Sequence, residues 1–321
     1  MNERESRIRT HVVFFSFVIA VAAVPALRNN YYMQIVTFAC MYSALALSWN
    51  IIGGYAGYPS FSTAAFIGLG SYAGGLLQNA GLPAPLAWLA ATVIVGVFAY
   101  ALGFAILRIK GHYFAIGSIA IVEILRLATS SWSKLTGGGN GLNVQLLAGT
   151  PEAASAYFLY AMLVVMLLAY LMTVWVDGSR LGFGLRCIKQ NENAADALGV
   201  NVNAYKRAAL TLSALFCGTV GAIAASWTGY ISPTDAFSIV VTLKVPVMAL
   251  LGGAGTVLGP IVGACAFVLM EQTIWVRFLE WNQAVLGVVI VLSIFFLPGG
   301  LLKLRWPWSG ERPVRMTERR T

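Results

Sequence analysis

Side chains able to do covalent chemistry are sparse in this sequence and stand apart from one another. Cys40, Cys187, Cys217 and Cys265 never come within three residues of each other, and His11 and His112 are isolated. That spacing offers no zinc or dithiol motif, and free cysteines in apolar runs behave as small hydrophobes. Gly68-Leu-Gly70-Ser-Tyr-Ala73 matches a loose dinucleotide fingerprint, but it follows no strand and sits inside an apolar helix. No Walker-type phosphate loop occurs, so the chain lacks the usual apparatus for hydrolysing ATP itself. These patterns predict no enzyme, no catalytic residue, no metal and no cofactor. The main ionisable residues within apolar runs are Glu123, Arg126 and Lys244. Such residues are costly in a membrane and often functional. Glu123 and Arg126 are three apart and predict a pair on one helix face. Lys244 precedes Pro246 and either snorkels to the interface or faces a pathway.

These residues must be positioned by membrane helices. Of 321 residues, 59% are hydrophobic and only 10% charged, whereas soluble domains carry about 25% charged residues. A span needs roughly 20 apolar residues, and ten runs qualify as candidates: 12–27, 31–52, 61–78, 84–107, 113–128, 157–176, 208–227, 237–251, 257–272 and 284–297. The third and eighth fit a simple straight span least well. The expected architecture is a single all-α integral membrane domain over 1–321, with about ten transmembrane helices, some broken or short. With the N-terminus inside, 16 of the 21 Lys and Arg residues fall in inner segments and only Arg28, Lys134 and Arg277 in outer ones, a strong positive-inside pattern. Both termini, including the basic tail 303–321, are therefore expected in the cytoplasm. The first run resembles a signal peptide, but cleavage would break this charge count, so it is read as a retained helix. The net charge of +9 follows membrane topology; without basic patches interleaved with exposed aromatics, nucleic acid is not expected as a partner, whereas membrane lipid is.

Three segments interrupt the apolar pattern. From Gly53 to Gly75, 15 of 23 residues are Gly, Ala, Ser or Thr, with Pro59 among them. Broken backbone is tolerated in a bilayer only where protein buries it or a watery cavity meets it. Tyr58, Ser60, Phe61, Ser62 and Thr63, together with Lys244, are therefore candidates to line a translocation path. The alternative is close helix packing, since Gly53/Gly57, Gly70/Gly74 and Gly259/Gly263 fit a small-xxx-small pattern. The outer loop 135–143 is glycine-rich and reads as a linker or a cap on the pathway. The central loop 177–207 is polar, and its stretch Glu192 to Leu198 favours a short helix that Gly199 ends. It is either a solvated connection or a docking helix for a cytoplasmic partner.

Several stretches in one order resemble the M-type permease (LivM) family of bacterial branched-chain amino-acid ABC importers. They are Ala44-Leu-Ala-Leu-Ser-Trp-Asn50 leading into Gly53-Gly-Tyr-Ala-Gly57, Gly111-His-Tyr-Phe-Ala-Ile116, Glu123-Ile-Leu-Arg126, Leu135-Thr-Gly-Gly-Gly-Asn-Gly-Leu142, Asn191-Glu-Asn-Ala-Ala-Asp-Ala-Leu-Gly-Val200 and Leu250-Leu-Gly-Gly-Ala-Gly255. The resemblance implies that the central loop docks on an ATPase. Its contact residues would be Arg186, Asn191, Glu192, Asn193, Ala194, Ala195, Asp196, Leu198, Gly199, Val200 and Asn201. Ala194, Ala195 and Gly199 fall in the family's register, while Asn193 stands where the broad pattern has Glu. The first break reads Gly57-Tyr-Pro-Ser-Phe-Ser-Thr63, unlike the family's usual Gly-Gln-Leu-Ser-Leu-Gly-His. By resemblance the partners are two ABC ATPase subunits that bind the ATP, a homologous second permease and a periplasmic solute-binding protein. The implied function is alternating-access import of branched-chain amino acids or similar small polar solutes, such as urea or short amides, across the inner membrane. An autonomous secondary transporter or channel is the alternative, and it would need coupling-ion ligands that the sequence scarcely offers.

Overall fold

The computed structural model describes residues 3–27, 29–109, 111–146, 150–277, 287 and 300–301. The apolar runs fold as helices. In chain order these are α1 (Glu3–Ala23), α2 (Asn30–Trp49), α3 (Thr63–Asn79), α4 (Ala84–Ile106), α5 (His112–Ser131), the one-turn α6 (Ser133–Thr136) and α7 (Pro151–Gly178). They continue with α8 (Arg180–Gln190), α9 (Glu192–Ala197), α10 (Val202–Thr228), α11 (Pro233–Ala236), α12 (Ile239–Gly252) and α13 (Gly259–Arg277). Among the described residues, six helices are long and apolar enough to cross a membrane. Helices overlie the first nine predicted runs; the tenth, 284–297, lies outside the described residues apart from Gly287, and the whole tail 303–321 lies outside them.

The third and eighth runs are short helices. α3 has 17 residues and α12 has 14, the latter with Pro246 inside it. α2 does not stop at its regular end: Asn50–Tyr55 continues it as a π-helical turn, and irregular backbone then runs to Ser62. A π turn inserts extra backbone into one turn and is frequent at functional sites.

Small residues set the packing. α10 is the central post and touches α2, α3, α4 and α7. A methyl added at Gly70 would stand 2.2 Å from the Gly218 carbonyl oxygen, and one at Gly74 would stand 2.7 Å from the Ala222 Cβ. Such close backbones gain dispersion contacts that lipid tails cannot replace. Gly263 is equally tight, 2.0 Å from the Met248 oxygen. Gly53/Gly57 is different. Gly53 faces the Trp49 ring of its own helix, and Gly57 has φ +72°, a left-handed turn conformation. That pair therefore makes a turn, while the other two pairs pack helices.

Polar connections gather at two ends of the bundle. At one end α8, α9, the π turn and the 253–258 segment meet. At the other, Leu142–Asn143 pairs antiparallel with Tyr230–Ile231 as a two-residue ladder. Asn79 Nδ2 donates to the Asn143 carbonyl (2.7 Å), and the Tyr230 hydroxyl donates to the Asn140 carbonyl (2.8 Å). The 135–143 loop is thus docked on its neighbours instead of hanging free.

Candidate functional site

The central segment 177–207 is nearly all helix. Asp177 ends α7, Lys206 and Arg207 lie in the first turns of α10, and α8 fills the space before α9. The sequence reading expected one short helix here and missed α8. Side-chain caps define the corners. Asn191 accepts from Ala194 N (3.1 Å) at the start of α9, and Asn201 accepts from Ala204 N (3.1 Å) at the start of α10. Gly199, at φ +85°, closes α9: its N–H donates to the Asp196 oxygen (2.9 Å) and Val200 N–H to the Ala195 oxygen (3.0 Å). Ala195 is buried, whereas Asn193, Ala194 and Asp196 are exposed. Leu198 is 80% exposed and Phe183 of α8 is 66% exposed. Covering a side chain of that size releases about 1.5–3 kcal/mol, so this end carries two unmet apolar contacts.

The opposite face of α9 is held by a three-way lock. Lys206 Nζ lies 2.8 Å from Glu192 Oε1 and donates to the Tyr58 hydroxyl at 2.7 Å. The Tyr58 hydroxyl in turn donates to Glu192 Oε2. The ammonium also sits 4.0 Å from the centroid of the Tyr58 ring. Lys206 is wholly buried, while the Glu192 side chain is 21% exposed. Burial, then the hydrogen bond to Glu192 and its charge, push the Tyr58 phenol above its ordinary pKa, which keeps it the hydrogen donor in this triangle. Two further ties secure the same junction. Lys189 Nζ donates to the Gly54 carbonyl (2.8 Å). Arg186 pairs with Asp177 (2.7 Å), which also accepts from the Tyr55 hydroxyl (3.2 Å). Both α8 and α9 are thereby fastened to the end of α2.

The break beyond Tyr58 is tied to α2 and α5. Trp49 Nε1 donates to the Ser60 carbonyl (2.7 Å), and Phe61 N–H donates to Ser118 Oγ of α5 (2.9 Å). The Ser60 and Ser62 hydroxyls bond each other at 2.7 Å. Ala64 N–H, an orphan donor in the first turn of α3, is met by Thr242 Oγ1 of α12 at 3.2 Å. Ser60, Ser62 and Thr63 are buried, and Phe61 is half-buried. Tyr58, read from sequence as a path residue, is tied by its hydroxyl to Lys206 and Glu192. Lys244 stands apart from this group and pairs with Glu271 of α13, Nζ to Oε1 2.5 Å. The Glu123–Arg126 pair forms as expected, Nε to Oε2 2.9 Å.

Three residues of this site carried no usable signal. Lys206 looks like one more loop cation, and its 14-residue separation from Glu192 matches no helical period. Glu271 lies within an apolar run but pairs only through the tertiary fold. Asn50 is fully buried; its Oδ1 accepts from Gly255 N (2.7 Å) and its Nδ2 donates to the Thr256 carbonyl (2.9 Å). It clasps the two glycine clusters, 53–57 and 252–260. No group of three His, Cys, Asp or Glu side chains suited to a metal occurs among the described residues.

Comparison with known proteins adds a sequence relationship to this geometry. The family model for the branched-chain amino acid transport system permease component matches residues 31–294. The high-affinity branched-chain amino acid transport system permease protein LivM of Salmonella typhimurium strain LT2 is 25% identical, over 94% of this chain and 77% of its own. LivM of Escherichia coli strain K12 shows the same identity and coverage. The autoinducer 2 import system permease protein LsrC of Salmonella paratyphi B is 26% identical, over 69% of this chain and 65% of its own. No solved structure gives a significant match.

Proposed function

Because this chain belongs to the branched-chain amino acid transport permease family, we propose that it is the membrane subunit through which an ATP-driven importer moves small polar solutes, with α8 and α9 as its coupling element. Ten crossings would place both termini and this element in the cytoplasm of a bacterial cell, and the membrane would be the inner one. Two ATPase subunits would seat below α9, a homologous permease beside the chain, and a periplasmic solute-binding protein above it. The cargo class would be that of the relatives, branched-chain amino acids or similar small polar solutes.

The observation that carries this reading is the Glu192–Lys206–Tyr58 lock. ATP-driven closure of the ATPases moves whatever holds Leu198 and its neighbours. A helix floating on a loop would absorb that motion. Here α9 is tied to α10 through Lys206 and to the end of α2 through Tyr58. Displacement of α9 therefore pulls on the irregular backbone 56–62, between α2 and α3. That stretch is the natural hinge, because rigid helices move about a few irregular residues. Phe61 and the backbone around Ser60, Ser62 and Thr63 shift with it, which would open or close a path lined by the break and α12.

Two measurements test the reading together. A cysteine at Asn193 should react with a membrane-impermeant maleimide in inside-out vesicles and not in intact cells. Leu198→Asp should abolish solute-stimulated ATPase activity while membrane insertion and thermal stability stay at wild-type values. Labelling from the periplasmic face, or normal stimulation in Leu198→Asp, would refute the assignment.

A further inference from the structure

The lock and the break do not account for Lys244 and Glu271. Their ion pair bridges α12 and α13 within the span region, and the two side chains remain 13% and 16% exposed. Exposure of a charge pair at membrane depth is expensive if it faces acyl chains. The described outer faces of α4 and α7 show what a lipid-facing surface of this chain looks like: Leu89, Val93 and Val97 on one, Val164, Leu168 and Leu171 on the other. Those faces carry no ion pair, whereas Lys244 and Glu271 lie next in sequence to Leu243 of α12, 45% exposed, and near Leu269 of α13, 61% exposed. A cavity of about 320 Å³ opens beside it, lined by Phe38, Tyr42, Val268, Glu271 and Gln272. That is at the small end of ligand-pocket sizes. Phe38 and Val268 are its apolar lining, Tyr42, Gln272 and the Glu271 carboxylate its polar lining, and Lys244 stands behind Glu271, in contact with it but outside the lining.

We propose that Lys244 and Glu271 form the permease's own binding element for a zwitterionic aliphatic α-amino acid. Glu271 takes the solute's ammonium, Lys244 takes its carboxylate, and Phe38 and Val268 pack the side chain. The pair is electrically neutral and so is the solute, so inserting one between the other replaces one ion pair by two without adding net charge to the membrane interior. A solute with only one of the two charges would leave either Lys244 or Glu271 facing no opposite charge, which is strongly unfavourable when desolvated. The closed Lys244–Glu271 contact is then the empty state. The long Lys244 stem lets its ammonium swing away while α12 stays in place. This rests on the importer reading above, but it concerns a different part of the molecule from the coupling element.

The experiment uses the full chain in nanodiscs and tritiated L-leucine as the probe. Leucine should bind saturably. Unlabelled valine and isoleucine should compete, whereas 4-methylpentanoate and 3-methylbutylamine, each lacking one charge, should not. Lys244→Met with Glu271→Met should weaken binding by at least about tenfold with thermal stability preserved. The reversed pair, Lys244→Glu with Glu271→Lys, keeps the ion pair but inverts the solute relative to Phe38 and Val268. It should fold normally and still bind at least about tenfold more weakly. Absence of leucine binding to the wild type, equal competition by the singly charged analogues, or wild-type binding by the reversed pair would overturn the proposal. Because Leu198→Asp tests coupling separately, loss of this site with coupling intact would leave the importer reading standing.

Discussion

Glu192→Gln should damage this protein more than Lys206→Met, although Lys206 is the more deeply buried partner. Glutamine takes the carboxylate away from an ammonium that is 0% exposed. Removing one side of a buried pair costs about 3–5 kcal/mol, because the ammonium keeps the Tyr58 hydroxyl and ring but loses its opposite charge in low dielectric. Lys206→Met removes the buried charge itself. The Glu192 side chain is 21% exposed, so it turns to water and keeps the Tyr58 hydroxyl, at a cost of about 1–3 kcal/mol. The double variant leaves neither charge and should cost less than Glu192→Gln alone, so the cycle is strongly non-additive. Hydrogen exchange of the amides from Ala194 to Val200 reads the effect directly, with thermal unfolding in nanodiscs as the global check. In Glu192→Gln those amides should exchange fastest, and ATPase activity should no longer respond to solute. If Lys206→Met proves the worse single substitution, or if the two effects simply add, the lock does not hold α9 in the way described.

Other positions give sharp outcomes. Asn50→Leu leaves the Gly255 N–H and the Thr256 carbonyl without their partner, about 1–3 kcal/mol for each group, and limited proteolysis should find new cleavage within 252–260. Gly57→Ala forces a Cβ into φ +72° and to 2.8 Å from the Lys189 Cγ; at about 1–2 kcal/mol for the backbone alone, detergent thermostability should fall measurably. Gly70→Ala places a methyl 2.2 Å from the Gly218 oxygen, so α3 and α10 must part, and the yield of folded protein should drop well below that of a Gly139→Ser control, where no atom lies within 4 Å and φ is not positive.

Much of the helical frame was legible because membrane helices announce themselves by long apolar runs, and the polar 191–201 stretch stood out against them. The short α9 followed from its composition and from Gly199, whose left-handed conformation could be anticipated. α8 was not legible: Arg180–Gln190 mixes Gly, Arg, Lys and Phe, and its helix depends on the Ser179 cap and on packing of Gly184 against the Tyr205 ring. The lock was hidden for a different reason. Tyr58, Glu192 and Lys206 come from segments up to 148 residues apart, and no periodicity links them. Reading Tyr58 as a path residue followed from its place in the break. The break is real, and within it the Tyr58 hydroxyl also bonds Lys206 and Glu192. Asn50 likewise sat at the end of an apolar run with no hint that its amide would clasp a second glycine turn.

Leu198 and Phe183 have one more consequence. An orphan copy, made faster than its companions, would present two bulky greasy knobs to water on an otherwise polar end. Such a copy is a natural target for self-association or for quality-control proteases. Steady cellular abundance of this chain should therefore track that of the subunit covering those knobs, and producing it alone should yield less intact material than co-producing the assembly.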